Sequence, residues 1–549
     1  MKEIIFDSYL AGFSDPTVAF ASAVEELREG GVLRLSNRRY ECSSDFAAER
    51  YCAPSNNDNG KKRILLPLVE VTDLTIEGNG AELLLNGKMM AGWMEHCRNI
   101  TIRDLTVDFV RPFHSEGLVT GVGENCVTLQ IDPEKYPFFV RNDRVFFEGH
   151  GWSSDRLQII LRYDPATRDL CTGSGDWYVF VQQLRASSPK KDTLILEWGD
   201  FGPPWQIQPG EHLVLGMEGR DAPGFAASEC QNIRFEGVTL RAAYAMGFLF
   251  QGCENPTLSC CRVIPGEGRL ISASADASHF VNCYGRVLVE DCTFLGQLDD
   301  AVNVHGIYTP IVAVQGRELW VRLVHGQQTG APVYSAGDRI GFVRKETMQP
   351  FAEEEILSAS FLNEEYIRII LKEPVAGLSE EYAAENLTRI PDSVEIKGCT
   401  TGLNRARSFL LSAGKKATIR KNDLHAAGSA IHIAGDANYW YEAGAVGEVE
   451  ICENKITSLC KTPGWGSAAI GIVPEIPQKD PSYYHRRVSI HDNEFILMDS
   501  GMVEARAVET LEIYSNTITR LQGCRGEAEE VRRHCCGGPI PQPSVQKRG

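Results

Sequence analysis

The chain has 549 residues, of which 43% are apolar and 23% charged, the balance of a soluble globular protein rather than of a disordered, collagen-like or membrane chain. Its 55 Lys and Arg residues against 73 Asp and Glu residues give a net charge of −18, which argues against a nucleic acid or an acidic membrane surface as partner. We therefore expect a neutral substrate.

The segment that begins at Met1 carries no recognisable targeting signal. It contains no apolar stretch of signal-peptide length, and no later run is long enough to cross a bilayer. These features predict no membrane partner and a cytoplasmic location, or secretion if a leader has been removed.

The 17 cysteines are scattered along the chain, which indicates free buried thiols rather than a disulfide framework. Cys524 and the run His534–Cys536 lie close to the C-terminus but lack the paired spacing of zinc modules, so we expect a loose tail and no metal site. No cofactor motif is apparent, and we predict no cofactor.

A short strand-like segment, apolar at alternate positions and ending in Asn, Asp, Gly or Cys, recurs along the sequence. Where copies follow one another without interruption, their period is ~20 to 30 residues, as in a chain that winds strand over strand. An apolar period of two does not fit helical repeats. The sequence therefore predicts an all-β solenoid, a parallel β-helix in which each turn of chain forms one coil.

Two stretches with longer alternating strands interrupt this rhythm and predict two small antiparallel β-barrel or sandwich domains inserted into the β-helix. Asp15-Pro16, followed by an apolar-rich segment and then Gly30-Gly31, predicts a helix that covers the open end of the first coil. The predicted units are a cap helix with the first coils (1–109), an inserted domain (110–219), central coils (220–306), a second inserted domain (307–391), C-terminal coils (392–520) and a tail (521–549).

The densest chemical signal is a set of acidic residues in two adjacent coils. Asp276 lies in ISASADASHFVNC, and Asp299 and Asp300 lie in GQLDDAVNVHG, about one coil later. Neighbouring coils are ~5 Å apart, which brings the three carboxylates within reach of one another. Such a set predicts the acid and base of a glycoside hydrolase.

Strand alternation predicts which of these side chains point outward. Inward-facing valines leave Asn303 and His305 on the outer face with Asp299, and Asp276 is expected to be exposed in the coil before. Asp300 would turn inward, so it requires either a bend of the backbone or a specific partner.

His279 stands beside Asp276, and together with Asn303 and His305 it offers hydrogen-bonding groups for the hydroxyls of a sugar. A Ca²⁺ site and a purely structural Asp-Asp turn are open alternatives. The two histidines and the absence of a Gly-Asp-rich loop count against Ca²⁺. We favour catalysis because the pair and Asp276 stand one coil apart.

Several motifs resemble glycoside hydrolase family 110, the exo-acting α-1,3-galactosidases that include blood-group-B-cleaving enzymes. The likeness runs from near the N-terminus to about Asn516, and the motifs that carry it are RYCAPSNNDNGKKRILLPL, DFVRPFHSEG, SADASHFVNCYG, GQLDDAVNVHG and GDANYWYEAGAV. The resemblance implies a right-handed parallel β-helix with inserted β-barrels and removal of terminal α-1,3-linked galactose with inversion. It also implies catalytic roles for Asp276, Asp299 and Asp300.

Inversion requires a carboxylic acid that protonates the leaving oxygen and a carboxylate that activates water, usually ~6.5–9.5 Å apart. The hypothesis from sequence is that Asp276 is the acid and that Asp299 and Asp300 hold the water, with the reverse assignment open. An adjacent pair of aspartates should raise the proton affinity of one member.

Four further residues are weaker candidates. Trp440 could stack on a sugar ring or belong to the core, and Glu442 could hold hydroxyls, because a fully buried Glu is rare. His114 and Arg111 in RPFHSEG could link the coil to the first inserted domain.

Two other functions remain open at this point. A polygalacturonase-like pectin hydrolase also combines a β-helix with paired aspartates, although the net charge of −18 disfavours a polyanionic substrate. A non-catalytic carbohydrate-binding β-solenoid would share the fold alone. The expected partner is a glycan with terminal α-galactose, and a homodimer is possible.

Overall fold

The computed structural model describes residues 2–179, 183–459, 461–478, 482–522 and 530–537. Within these ranges, no helix has the length and apolarity that a membrane crossing requires. The main body is a stack of parallel strands, with two antiparallel units that leave the stack and return to it. This is the predicted all-β architecture.

The N-terminal part contains the cap and the first coils. Asp15 accepts a hydrogen bond from the backbone N–H of Thr17, and Pro16 opens the helix that follows, as predicted. The helices are Phe6–Leu10 and Pro16–Glu26, with a 3-10 turn at Ser44–Phe46, and the strands are Glu3–Ile5, Gly31–Arg34, Arg39–Ser43, Ala48–Cys52, Gly60–Val69, Thr72–Asn86, Met90–Glu95 and Arg98–Phe109.

The central and C-terminal coils continue this stack. The central strands are Phe225–Ser228, Gln231–Glu236, Thr239–Leu240, Phe248–Gln251, Thr257–Ser259, Arg262–Val263, Ser278–Val281, Gly285–Glu290, Thr293–Leu295 and Val302–Ile307. The C-terminal strands, with a 3-10 turn at Pro463–Trp465, are Pro391–Lys397, Thr400–Gly402, Phe409–Ser412, Lys416–Arg420, Asp423–Ala426, Ile431–Ile433, Glu442–Ala443, Glu448–Cys452, Lys455–Ser458, Ala468–Ile472, His485–His491, Glu494–Leu497, Gly501–Tyr514, Thr517–Arg520 and Val531–Cys536.

The two insertions are antiparallel. The first has a seven-stranded and a three-stranded sheet, built from Ser115–Val122, Cys126–Gln130, Phe138–Arg141, Arg144–Gly149, Trp152–Ser154, Leu157–Tyr163, Trp177–Tyr178, Leu184–Lys190, Thr193–Trp198 and His212–Met217. The second is a closed barrel with a 3-10 turn at Gly326–Gln328, built from Thr309–Gln315, Glu318–Arg322, Arg339–Arg344, Pro350–Phe361, Tyr366–Leu371 and Tyr382–Asn386.

The coil register passes across both insertions. Strand Arg98–Phe109 pairs in parallel with Gln231–Glu236, and Gly285–Glu290 pairs in parallel with Pro391–Lys397. Each insertion therefore connects two coils that still pair directly with each other. For this reason the strand repeat resumes in the sequence after each insertion.

Buried side chains hold successive coils together. The cysteines that the structure describes are free thiols, most of them buried, as predicted. Asn422, Asn454, Asn493 and Asn516 form an internal ladder in which each side-chain amide donates to the next residue at 2.9–3.0 Å. These ladders satisfy turn polar groups that burial would otherwise leave unpaired.

The prediction of a loose tail over residues 521–549 is wrong for part of that range. Val531–Cys536 is a strand that pairs in parallel with Gly501–Tyr514 and so extends the stack. The stack of parallel strands therefore continues beyond Asn516, where the recognisable sequence motifs end. Cys524 lies outside the described residues.

Candidate active site

A cavity of about 570 Å³ lies where the central coils meet both insertions. Its floor comes from the coils and carries all three aspartates. Its walls come from the first insertion and its exit loop, the second insertion and the loop before Glu442, and the wall residues include Gln158, Tyr178, Arg220, His325, Gln327 and Trp440.

Strand register brings the acidic residues together. Ser278 pairs with Val302, which pairs with Phe409, so the positions two residues before them lie in one row across three coils. That row is Asp276, Asp300 and Arg407. The coil spacing predicted this proximity for the two aspartates.

The three aspartates form one compact cluster. A carboxylate oxygen of each lies within 4.8 Å of a carboxylate oxygen of the other two. This distance joins the nearest oxygens and not the carboxyl groups as wholes, so the separation of ~6.5–9.5 Å expected for an inverting pair stays a prediction. A single water that donates to two carboxylate oxygens at ~2.8 Å places them about 4.6 Å apart, so the cluster fits one shared water.

Asp276 is not exposed, contrary to the sequence expectation. It retains 3% of its accessible surface although it lines the cavity, because the walls cover this face of the coil. Alternation gave the direction of the side chain, but the inserted domains decided its exposure.

Asp300 has the specific partner that its inward direction required. Both of its oxygens accept from the Arg407 guanidinium, at 2.9 and 3.0 Å, and Oδ1 also accepts from the Arg407 backbone N–H at 3.1 Å. Asp299 accepts from Arg220 Nη2 at 2.9 Å. Arg220 lies in the loop that returns from the first insertion.

The environment separates the proton affinities of the three carboxyl groups. Burial, together with the charge of Asp299, raises the pKa of Asp276 well above its usual value. Burial also raises the pKa of Asp300 to about 7, although Arg407 opposes the rise. Burial would raise the pKa of Asp299 too, but the charges of Arg220, Arg405 and Arg407 outweigh burial and lower that pKa. Neighbouring carboxyl groups whose pKa values differ in this way are typical of an acid–base site.

The two predicted histidines have different positions. His279 lines the cavity, and its Nδ1 lies 2.6 Å from Asp276 Oδ2. His305 does not line it: its side chain is fully buried, and its Nε2 lies 2.8 Å from His279 Nε2. Strand alternation turns the His305 side chain outward, but His279 lies between it and the cavity. Direct substrate binding by His305 therefore does not fit the geometry.

Asn303 occupies the register row of His279 and lines the cavity as predicted. The same row continues through Leu410 to His432 in the next two coils. Asn303 Oδ1 and His432 Nδ1 are buried without a hydrogen-bond partner among the described residues. Both residues line the cavity, but these two atoms are themselves covered by the surrounding coils.

Trp440 and Glu442 both line the cavity. Trp440 is 50% exposed and packs against the His325 ring at 5.3 Å, so it belongs to the wall rather than to the core. Glu442 is largely buried, and its Oε1 lies 3.8 Å from His305 Nε2.

His114 and Arg111 differ in their contact with the cavity. His114 is a buried lining residue, and burial lowers its pKa to about 3. Arg111 lies outside the lining and donates to the Glu148 carbonyl at 3.0 Å, which links the coil to the first insertion as predicted.

The arginines were not found from sequence. Arg405 and Arg407 follow the second insertion in GLNRARSF, and Arg405 forms two 2.8 Å hydrogen bonds with Asp176 of the first insertion. Recognising them requires the register across the insertion, which pairs Val302 with Phe409. These guanidinium groups also disfavour a cation at the aspartates, because they already compensate the carboxylate charge.

Known proteins resemble this chain over nearly its whole length. Family descriptions match the GLAA-B beta-barrel domain I over residues 115–213 and the GLAA-B beta-barrel domain II over residues 318–379. The alpha-1,3-galactosidase B of Bacteroides thetaiotaomicron is 34% identical over 508 residues, covering 89% of this chain and 81% of that protein. The alpha-1,3-galactosidase A of Shewanella woodyi is 30% identical over 511 residues, covering 92% and 83%.

Among solved structures, a mannuronan C-5 epimerase A-module from Azotobacter vinelandii aligns over 97% of both chains, with 12% identity and a TM-score of 0.37. The sequence relatives decide the family, since they are 30–34% identical to this chain over about nine tenths of its length. The chain belongs to the α-1,3-galactosidases of glycoside hydrolase family 110.

Proposed function

We propose that this protein hydrolyses the glycosidic bond of terminal α-1,3-linked galactose at the non-reducing end of glycans, with inversion at the anomeric carbon. The observation that carries the proposal is the cluster of three aspartates, two of them buried and the third partly buried, with divergent pKa shifts, on the floor of a cavity in a chain of this family. No cofactor is needed for this chemistry.

The compact cluster suits a water held between two carboxylates, with the remaining carboxyl group near the leaving oxygen. Asn303 and His432 line the cavity and would contact hydroxyl groups of the galactose, and the indole of Trp440 would lie against a sugar ring. Walls from both insertions favour a substrate that enters by its end, which suits exo-hydrolysis.

A pectin hydrolase is the less favoured alternative. Its substrate carries a carboxylate on each sugar and would need a free cation in the cavity. Arg220, Arg405 and Arg407 are each paired with an aspartate, so none of these lining arginines is free for a uronate.

Proton NMR of the anomeric signals tests the proposal. The purified protein is incubated with Gal-α1,3-Gal and with the fucosylated B-type trisaccharide, and spectra are taken from the earliest times. Early β-galactose is the expected product, and the ratio of the two rates gives the preference for linear or branched glycans. Early α-galactose would contradict inversion, and release of galacturonic acid from pectin without galactose release would favour the alternative.

A further inference from the structure

A chain of three hydrogen bonds leads from Asp276 away from the cavity. Asp276 Oδ2 lies 2.6 Å from His279 Nδ1, His279 Nε2 lies 2.8 Å from His305 Nε2, and His305 Nδ1 lies 2.6 Å from the carbonyl oxygen of Gly306. Each contact is a hydrogen bond only if one proton lies between its two atoms.

The far end of this chain has a fixed direction. The Gly306 carbonyl can only accept, so His305 Nδ1 carries a proton. Three hydrogen bonds require three protons, and two neutral imidazoles supply two of them. The third proton belongs to Asp276 Oδ2 or converts one of the two histidines to imidazolium.

All three arrangements leave Asp276 Oδ1 without a proton. No described residue donates a hydrogen bond to this oxygen, and Asp276 lines the cavity. Oδ1 is therefore the oxygen that a water molecule in the cavity can approach. The high proton affinity of Asp276 concerns the other oxygen, Oδ2, which faces His279.

We propose that His279 and His305 are positioning residues that make Asp276 the proton acceptor for the hydrolytic water. This deepens the proposed hydrolase function and rests on it. Water gives its proton to Asp276 Oδ1 as its oxygen bonds to the anomeric carbon. In the same step the Oδ2 proton passes to His279 Nδ1 and the Nε2 proton of His279 passes to His305 Nε2, so the carboxyl group of Asp276 never carries two protons.

The charge gained by the chain ends on His305, which becomes imidazolium. Glu442 Oε1 lies 3.8 Å from His305 Nε2 and compensates that charge. The other charged groups that act on Asp276 are Asp299, Arg220 and Arg407. Their carboxylate and guanidinium charges are balanced by the ion pairs described above, so Glu442 is the acidic neighbour left for His305.

This assignment reverses the sequence-based hypothesis, in which Asp276 was the acid. The proton for the leaving oxygen then comes from the Asp299–Asp300 pair. Protonating Asp276 Oδ1 in the resting state would require a fourth proton in the chain. Burial lowers the pKa of His279 to about 4 and also lowers the pKa of His305, so the three-proton state prevails at neutral pH.

Two substitutions at His305 separate proton transfer from structural support. His305→Gln retains a side chain that can hydrogen-bond but cannot take up the proton, whereas His305→Ala removes the contact. We expect both variants to lower kcat by ~100-fold or more, with KM within ~3-fold because His305 does not line the cavity. A structural role predicts instead that His305→Gln restores nearly normal kcat, and this result would overturn the proposal.

His485→Gln is the matched control. His485 is fully buried in the C-terminal coils, accepts from the Val446 backbone N–H at 3.2 Å and lies outside the cavity lining. We expect kcat within ~2-fold of the wild type. Thermal unfolding of each variant shows whether a loss of kcat reflects loss of the fold.

The imidazole ¹⁵N signals of histidine-labelled protein report the proton positions without any substrate. We expect His305 to be a neutral Nδ1–H tautomer at pH 6–8, with its signals identified by their absence in His305→Gln. A protonated Nε2 in the resting enzyme would overturn the proposal. This measurement tests the roles of His279 and His305 separately from the hydrolase function. A protein inactive on every galactoside would refute the hydrolase function, but the tautomer of His305 could still be determined from its ¹⁵N signals.

Discussion

The floor and the walls of the cavity are built in different ways. The floor residues Asp276, Asp300 and Arg407 stand in one register row, fixed by backbone pairing between three coils. The walls come from segments that are distant in sequence and that contact the floor through a few side chains, such as Asp176 of the first insertion with Arg405 of the coils. The floor is thus rigid enough to place reacting groups, and the walls can change the accepted glycan without moving them.

The largest expected effect is on the floor. Replacing Asp276, Asp299 or Asp300 by Asn removes a titratable group while keeping its size, so kcat/KM should fall by ~100-fold to ~10,000-fold. Initial rates on Gal-α1,3-Gal provide the measurement. Near-normal turnover in any one variant would remove that residue from the catalytic set.

Asp291→Asn is the control for these three variants. Asp291 lies in an exposed turn with φ of 53°, a conformation that Asn adopts readily. Its kcat/KM should stay within ~2-fold of the wild type.

A second effect on the floor concerns the ion pair of Asp300. Arg407→Ala leaves a buried carboxylate without its guanidinium partner, so the free energy of unfolding should fall by about 3 kcal/mol, and activity should fall with it. Urea unfolding measures the stability. The double variant Asp300→Asn/Arg407→Ala should regain part of that stability and remain inactive; if it is no more stable than Arg407→Ala, the pairing is not the cause.

The walls should show a smaller effect of another kind. Trp440→Ala removes an aromatic face at the cavity but no titratable group, so KM should rise about tenfold, equivalent to ~1.4 kcal/mol, with kcat nearly unchanged. Tyr514→Ala is the control, since Tyr514 has a similar exposure of 48% and lies outside the cavity lining. A drop in kcat with unchanged KM would place Trp440 with the floor.

The last prediction concerns the pH dependence of stability and involves no change in activity. The pKa of Asp300 is raised to about 7, so the folded protein retains a proton that the unfolded chain releases above about pH 4. This contribution to stability is complete below about pH 4 and is lost as the pH rises through 7. Between pH 4.5 and 7.5, the Tm of wild type should fall relative to that of Asp300→Asn. Parallel curves would show that Asp300 titrates normally.

Much of the floor could be predicted from sequence because it follows the repeat. A period-two strand pattern fixes both the parallel stacking and the spacing of coils, and these bring Asp276 close to Asp299 and Asp300. The need of Asp300 for a partner followed from burial alone. The identity of that partner did not, since Arg407 is separated from it in sequence by the second insertion.

Strand alternation alone misplaced Asp276 in its exposure and did not exclude His305 from substrate contact. It gives the direction of a side chain relative to its own strand, but exposure depends on what packs over that strand. The inserted domains cover Asp276, and His279 stands between His305 and the cavity.

The sequence by itself determined the β-helix, the cap helix, the two insertions, the family and the aspartate cluster, because each depends on local periodicity or on a contiguous motif. The tertiary structure decided which charges pair, which residues form the walls and how the protons of Asp276, His279 and His305 are ordered. Those features depend on distances between side chains far apart in the chain, which no local pattern specifies.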